Sequence, residues 1–158
     1  MARAGDSQQP QAASTPMAEA LGEARAAAAR GEVPVGAVIV RDGVVIARAG
    51  NRTLADRDPT AHAEIVAIRL ACAALGSERL PGCDLYVTLE PCPMCAAAIS
   101  FARIRRLYFG AADVKGGAVE NGVRLYGSST CHHRPEVYGG LSETASAELL
   151  RDFFRDRR

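Results

Sequence analysis

The chain has 158 residues, of which 48% are hydrophobic, and its formal net charge is +1. This length predicts one domain, and the hydrophobic fraction is high enough for a packed core, which argues against general disorder. The net charge is too small to indicate a nucleic-acid binder by itself, and no apolar run approaches the roughly 18 residues of a membrane span.

The N-terminal stretch and the cysteines bear on the compartment. Residues 1–16 are polar and contain no apolar segment of the kind that secretory signals carry. The chain has five cysteines, and an odd number without a secretion signal argues against a disulfide framework. We therefore expect a disordered polar tail over residues 1–16, a single domain over residues 17–158, and a cytoplasmic protein with reduced thiols.

The first half of the chain predicts a helix followed by a hairpin. Residues 15–30 suit a helix because Thr15 can cap its start, Pro16 fits the first turn and Gly31 suits its end. Two apolar runs then flank Asp42-Gly43, a pair typical of a tight hairpin turn. Both runs are continuously apolar, so we expect strands that are covered by helices on both faces.

After the hairpin, helices and strands alternate. We expect Thr60 to cap the next helix and Gly76 to end it. Residues 123–141 show no pattern that favours either element. The alternation implies parallel neighbouring strands, right-handed crossovers and a three-layer α/β/α domain with a mixed sheet. The predicted elements are a loop at 51–60, a helix at 61–75, a strand at 84–90, a helix at 91–103, a strand at 105–111, a Gly-rich loop at 113–122 and an amphipathic helix at 142–158.

One histidine and two cysteines stand near predicted helix starts. Cys92 and Cys95 are about one helical turn apart, so both sulfurs can point the same way, and His62 stands near the start of the preceding helix. If the two helix starts lie side by side, one imidazole and two thiolates converge, which is a ligand set that zinc binds tetrahedrally. Three protein ligands leave one position for water, as in catalytic zinc sites, and zinc lowers the pKa of that water from about 15.7 to about 7.

Glu64 lies two residues after His62 at the start of the same apolar helix. A carboxylate is unexpected where a helix buries its first turn. It need not bind the metal, because beside His62 it can face the zinc-bound water. There it would take the proton of the water and pass it on, as a general acid and base does.

From the residues alone, the cysteines and His62 also fit three interpretations that involve no catalysis. The Cys-x-x-Cys pair occurs in redox proteins of reducing compartments. A structural zinc site would recruit Cys83 or Cys131 as a fourth ligand. His62 could also be a helix-cap histidine without any metal.

The segments "HAE" at 62–64 and "PCPMC" at 91–95 match the H-x-E and P-C-x-x-C signature of zinc-dependent nucleobase deaminases. The wider stretches "EVPVGAVIV", "GNRTLADRDPTAHAEI", "LYVTLEPCPMCAAAI" and "RIRRLYFGAADVKGGA" resemble the bacterial tRNA-specific adenosine deaminases. The resemblance covers roughly residues 17–158 and places the chain in the zinc-dependent cytidine/deoxycytidylate deaminase superfamily.

The resemblance implies a fold and a reaction. The fold is the cytidine-deaminase-like three-layer α/β/α arrangement around a central mixed sheet of about five strands. The reaction is hydrolytic deamination of the wobble adenosine, position 34, to inosine in tRNA-Arg, with attack of zinc-activated hydroxide at C6 and release of ammonia. The resemblance also implies a homodimer with one Zn²⁺ per subunit.

The same resemblance assigns roles to residues of this sequence. His62, Cys92 and Cys95 become the zinc ligands and Glu64 the proton shuttle. Asn51 matches the asparagine that hydrogen-bonds the flipped purine, and Asp113 an acidic residue near the ribose of a neighbouring nucleotide. The terminal "FFRDRR" matches a helix that lies against the anticodon stem-loop. Residues expected to contact RNA are Lys115, Arg151, Arg155, Arg157 and Arg158.

The sequence also fits two functions other than tRNA deamination. One is a deaminase of a free nucleobase or nucleoside such as guanine or cytosine, because the zinc core touches only the reacting carbon and its neighbours. The other is a zinc-stabilised RNA-binding module or an inactive partner subunit, against which Glu64 argues. His132 and His133 are interpreted as exposed loop histidines without a special role, and the alternative is that they donate to phosphate or base. Cys72, Cys83 and Cys131 are expected to bind no metal, with Cys72 in the core.

Overall fold

The computed structural model describes residues 14–157. The predicted N-terminal tail falls almost entirely outside these residues and stays a prediction. The elements are α1 (Pro16–Ala29), β1 (Gly36–Arg41), β2 (Val44–Gly50), α2 (Ala63–Leu75), β3 (Cys83–Leu89), α3 (Pro93–Phe101), β4 (Arg106–Ala111), a short 3-10 turn (Leu125–Gly127), β5 (Glu136–Tyr138) and α4 (Glu143–Arg155).

The strands form one mixed sheet in the order β2-β1-β3-β4-β5. β1 runs antiparallel to both β2 and β3, whereas β3, β4 and β5 run parallel to one another. The parallel pair β3 and β4 is joined through α3, as a crossover connection requires. The predicted five-stranded mixed sheet is confirmed.

Helices cover both faces of the sheet. On one face, α2 and α3 pack against alternate strand residues such as Ile39, Leu85 and Phe109, which are fully or almost fully buried. On the other face, α1 places Met17 against Val38 and Val40. β1 and β3 are buried on both sides almost throughout, as the sequence indicated. The same expectation for the second hairpin strand is wrong, because β2 lies at the edge of the sheet and is partly exposed.

Most predicted element ends agree with the structure. Thr15 caps α1 by accepting a 3.1 Å hydrogen bond from the Ala18 backbone. In the hairpin turn, Asp42 and Gly43 have φ values of +50° and +75°, the left-handed conformation of a two-residue turn that matches strand twist. Gly76 ends α2 with a φ of +63°.

The prediction of Thr60 as the cap of α2 is wrong. The helix begins at Ala63 and His62 is its extended capping residue, without a side-chain hydrogen bond to the helix. The Ala63 backbone N–H instead donates to Asn51 Oδ1 at 2.8 Å. The Thr60 hydroxyl donates to Asp58 at 2.7 Å, so it serves the preceding loop.

Two further differences concern lengths. α3 is shorter than predicted, because Cys92 is extended at its start and Arg103, with a φ of +62°, follows its end. The segment without a prediction contains β5, which pairs Val137 with Leu107 of β4. A three-residue strand with one half-buried side chain carries too short a pattern to be recognised in sequence.

Within residues 14–157, no helix is both long and apolar enough to cross a membrane.

Candidate active site

The three predicted metal ligands meet where α2 and α3 begin. His62 directly precedes α2, Cys92 directly precedes α3, and Cys95 lies in the first turn of α3. The two helices pack against each other on the same face of the sheet, so their N-termini are neighbours. Pro93 favours a helix start at this point, because its φ suits the first turn and it has no N–H to satisfy.

The spacing of the ligand atoms fits zinc. His62 Nδ1 lies 3.7 Å from Cys92 Sγ and 3.5 Å from Cys95 Sγ. Tetrahedral zinc with Zn–S bonds of about 2.3 Å and Zn–N bonds of about 2.0 Å separates nitrogen from sulfur by roughly 3.5 Å. All three ligand atoms lie within 4.8 Å of one another, and the group contains these three side chains alone. The predicted convergence of one imidazole and two sulfurs is therefore observed.

The electrostatic surroundings favour a thiolate ligand. A hydrogen bond from Cys95 lowers the pKa of the Cys92 thiol to about 4, and this effect exceeds the opposing effect of burial. The same contact raises the pKa of the Cys95 thiol. Helix N-termini add positive potential at both sulfurs. A zinc ion would displace the proton that Cys95 keeps, because thiols bind the metal as thiolates.

Glu64 is buried beside the metal ligands. Only 4% of the residue is exposed, and it lines the pocket that opens over His62 and Cys92. It lies outside the group of three ligands. Burial raises the pKa of its carboxyl, which suits a group that must both accept and donate a proton near neutral pH.

The pocket over these residues has a volume of about 260 Å³. Val33, Val35 and Leu89 provide apolar contacts, whereas most of the other lining side chains are polar: Asn51, Thr53, His62, Glu64, Glu90, Cys92 and Asp113. A concave pocket in which polar groups converge beside apolar contacts is the usual form of a small-molecule or base-binding site.

Asn51 and Asp113 both line this pocket, as predicted for substrate-binding residues. Because Asn51 Oδ1 accepts the hydrogen bond from the start of α2, the side-chain orientation is held and the amide nitrogen is free to donate. Asp113 Oδ1 accepts hydrogen bonds from the backbone of Lys115 and Gly116 at 3.2 and 2.9 Å, which leaves Oδ2 for an outside donor. Their contacts with substrate stay predictions.

The other cysteines and histidines lie away from the metal ligands. The Cys83 thiol contacts the Pro81 carbonyl at the other end of β3, and Cys131 contacts Ser100 and the His133 carbonyl. His133 Nε2 contacts the Ile104 carbonyl at 2.7 Å and so fixes a loop, while His132 is exposed. Among the described side chains, nothing provides the fourth ligand that a structural zinc site needs.

Comparison with known proteins agrees with this centre. Residues 10–111 match the family described as the cytidine and deoxycytidylate deaminase zinc-binding region. The chain belongs to this deaminase family. Its zinc cofactor is thereby confirmed, with His62, Cys92 and Cys95 as the group that can hold one ion.

Similar proteins indicate which branch of the deaminase family the chain resembles. A tRNA-specific adenosine deaminase of Agrobacterium fabrum is 70% identical over 139 residues, which are 88% of this chain and 91% of that protein. A solved structure from studies of A-to-I editing by tRNA:A34 deaminases has a TM-score of 0.85 and 70% identity, covering 85% of this chain and 98% of that chain. The resemblance to bacterial tRNA-specific adenosine deaminases is confirmed.

A guanine deaminase from Nitrosomonas europaea shares the fold at lower identity. Its structure has a TM-score of 0.75 and 28% identity, covering 92% of this chain and 88% of that chain. The large difference in identity favours the tRNA branch over the free-base rival.

The predicted RNA-binding residues of the deaminase differ in their surroundings. Lys115 is exposed beside the pocket and has no ion pair among residues 14–157. Arg155 pairs with Asp152 and Asp156, and Arg157 stacks over the Phe153 ring at 3.6 Å from its centroid. Arg158 lies outside the described residues. Arg151 is exposed and has no ion pair among residues 14–157, so of the predicted contacts on the described part of the terminal helix only Arg155 is paired with acids.

Two buried carboxylates of the deaminase were not predicted from the sequence. Glu32 is 1% exposed and accepts hydrogen bonds from the backbone of Leu54 and Ala55, both at 2.9 Å. Glu90 is 2% exposed and holds the loop that contains Asp113. The sequence signal for each was an acidic residue next to an apolar run: Glu32 directly before it in "GEVPVG" and Glu90 directly after it in "TLEPC".

Proposed function

We propose that the chain is a zinc-dependent hydrolase that converts the wobble adenosine, position 34, of tRNA to inosine. The observation that carries this function is a centre of three zinc ligands with a buried carboxylate beside it, in a chain 70% identical to a tRNA-specific adenosine deaminase. Three ligands leave one coordination position for a water molecule.

The residues divide the chemistry among them. His62, Cys92 and Cys95 would hold zinc, which supplies an activated water by lowering its pKa. Glu64 takes a proton from the attacking water and delivers it to N1 of the purine. It then takes the remaining proton of the hydroxyl added at C6 and gives it to the amino group, so that the C6–N bond breaks and ammonia leaves. Water and adenosine become inosine and ammonia, and one carboxylate serves both proton transfers.

Substrate contacts extend from the pocket outwards. Asn51 donates its side-chain amide to an acceptor of the purine, and Asp113 receives a hydrogen bond from the ribose of a neighbouring nucleotide. An anticodon loop suits this pocket because its unpaired bases can be splayed out at small cost. Lys115, Arg151, Arg155, Arg157 and Arg158 contact phosphates of the stem-loop, and tRNA-Arg is the proposed substrate. The proposed location is the cytoplasm, because the proposed substrate is a tRNA.

A homodimer is supported by one surface of the molecule. Phe101 at the end of α3 is 73% exposed and Leu70 of α2 is 49% exposed, although both belong to otherwise apolar helices. The groove between the two helices is lined by Phe101 and half-buried Ile65 and Ile68, and charged side chains border them: Arg69, Glu78, Arg79 and Arg103. Exposed apolar side chains with a polar rim are typical of a subunit interface.

Ammonia release from a panel of substrates tests the function. Zinc-loaded protein is incubated with a tRNA-Arg anticodon stem-loop, adenosine, guanine and cytosine, and a stem-loop with guanosine at position 34 is the control. We expect release from the adenosine-containing stem-loop alone. Faster release from a free base or nucleoside would support the rival enzyme, and no release from any substrate would support the RNA-binding module.

A further inference from the structure

The carboxylate of Glu90 is the centre of a hydrogen-bond network beside the active site. The residue stands at the end of β3, two positions before the metal ligand Cys92. It is almost completely buried, yet no arginine, lysine or histidine pairs with it in the described part of the chain. Its charge is balanced by N–H groups alone.

All of these N–H groups come from one loop, residues 113–121, which we call the pocket loop. Oε2 accepts from three successive backbone N–H groups, those of Val119, Glu120 and Asn121, at 3.1, 3.0 and 3.0 Å. Oε1 accepts from the Asp113 backbone at 3.0 Å and from the Asn121 side-chain amide at 2.7 Å. Both ends of the pocket loop are therefore attached to one carboxyl group.

The pocket loop is shaped around this carboxylate. A Cβ added to Gly117 would lie 2.5 Å from Glu90 Oε2, so only glycine allows the backbone to approach so closely. Successive backbone N–H groups that converge on one oxygen form an anion-binding concavity. Here the anion is a side chain of the protein, covalently joined to the strand end that leads into the zinc site.

The network leaves Glu90 without capacity for proton transfer. An ionised carboxylate has about four acceptor positions, and five N–H donors already occupy them. The side chain also lies outside the group of zinc ligands. Glu90 itself borders the active-site pocket, but its carboxyl is fully engaged by the pocket loop, so the network assigns it to the position of that loop.

We propose that Glu90 is a positioning residue that fixes the pocket loop, and with it Asp113, at the wall of the active site. Asp113 and Gly116 line the same pocket as His62 and Glu64. The carboxylate thus sets where a nucleotide next to the reacting base is bound, while its hydrogen bonds go to the pocket loop and not to the zinc ligands or Glu64. This inference rests on the proposed function, because the bound nucleotide is that of the tRNA substrate.

Glu90→Gln tests this role, because it keeps the side-chain shape but removes the charge and turns a donor toward the loop N–H groups. We expect KM for the tRNA-Arg stem-loop to rise by about 10-fold or more, the order expected when a charge-assisted hydrogen bond is lost. We expect kcat to stay within about 3-fold and zinc content to stay at one per chain, since binding alone is affected.

Asn121→Ala is a second, milder variant that removes one of the five hydrogen bonds. Its KM is expected to rise by about 3-fold, in the same direction as Glu90→Gln. It keeps the inference testable if Glu90→Gln fails to fold. Asp84→Asn is the matched control, since Asp84 is also a buried acid of β3 but lies at the opposite end and pairs with Arg105. Its KM should equal that of the wild type.

Hydrogen exchange of the pocket-loop amides provides a readout that needs no activity. Amides 119–121 should be protected in the wild type and exchange at least about 10-fold faster in Glu90→Gln. Unchanged protection, loss of zinc from either variant, or a collapse of kcat at unchanged KM would overturn the role of Glu90. If the wild-type protein released no ammonia from the stem-loop, the proposed function would fail while the exchange result still decided whether Glu90 fixes the loop.

Discussion

His62 and Glu64 are two positions apart in sequence but have different surroundings. His62 is extended and half-buried, so its ring reaches the two sulfurs of α3. Glu64 is already helical and fully enclosed, and its carboxyl faces the pocket. The change from extended to helical backbone between these residues therefore separates the candidate metal ligand from the proposed proton carrier.

The first prediction concerns Glu64→Gln. We expect kcat on the stem-loop to fall by about 10²–10⁴-fold, the usual contribution of a general acid or base. Zinc content should be unchanged, because Glu64 is not a ligand. Single-turnover kinetics and metal analysis of the same preparation measure both quantities, and the exposed Glu148→Gln on α4 is the control. Stoichiometric loss of zinc would instead make Glu64 part of the metal site.

The second prediction concerns the sulfurs. Cys92→Ser should lose both zinc and activity, since a neutral hydroxyl replaces a thiolate whose pKa is about 4. Cys72→Ser, which changes a half-buried thiol of α2 remote from the centre, should keep both. Zinc bound equally by the two variants would show that Cys92 is not a ligand.

The residue scale also shows what the sequence predicted well and what it did not. The three ligands and Glu64 follow from local spacing at helix starts, so they were predictable. Glu32 and Glu90 were missed because their hydrogen bonds reach loops about twenty to thirty positions away, as in the bond from Ala55 to Glu32 and that from Asn121 to Glu90. Hydrogen bonds between residues that only the folded backbone brings together give only a weak local pattern in the sequence.

At the scale of elements, the start of α2 depends on a residue from another loop. Asn51 provides the hydrogen bond that the predicted cap Thr60 does not. The same side chain lines the pocket, so the element that carries His62 and the wall that meets the substrate share one group. Substitution of Asn51 is therefore expected to affect both helix position and binding.

The third prediction concerns Lys115 of the pocket loop. Lys115→Gln should raise KM for the stem-loop and reduce the slope of log affinity against log salt by about one, as loss of one phosphate contact does. Arg25→Gln on the exposed side of α1 removes the same charge elsewhere and should leave both quantities unchanged. Identical salt slopes for Lys115→Gln and the wild type would remove Lys115 from the interface.

The fourth prediction concerns the apolar surface of α2 and α3. Phe101→Glu places a charge in the proposed subunit interface, so sedimentation velocity should give the mass of one chain instead of two. Val44→Glu is the control, because Val44 is 62% exposed on the hairpin and lies outside this surface. A wild-type protein that sediments as a single chain would contradict the homodimer.

At the scale of the whole molecule, the zinc centre lies at the ends of elements from all parts of the domain. Residues just before β1, just after β2, at the end of β3 and just after β4 line the pocket, and the candidate ligands stand at the starts of α2 and α3. The sequence predicted the positions of the ligands at helix starts, but the meeting of these loops depends on the sheet order and on the antiparallel direction of β1. The strand β5 was not predictable, since it depends on pairing with β4 and carries almost no hydrophobic signal of its own.

The measurement that tests the central claim most directly is the sequencing of position 34 in tRNA-Arg after incubation with the zinc-loaded protein. Inosine is read as guanosine, so we predict conversion of A34 to a guanosine signal, no change at other adenosines, and no conversion with Glu64→Gln. Unchanged A34 after incubation with protein that contains one zinc per chain would contradict the account.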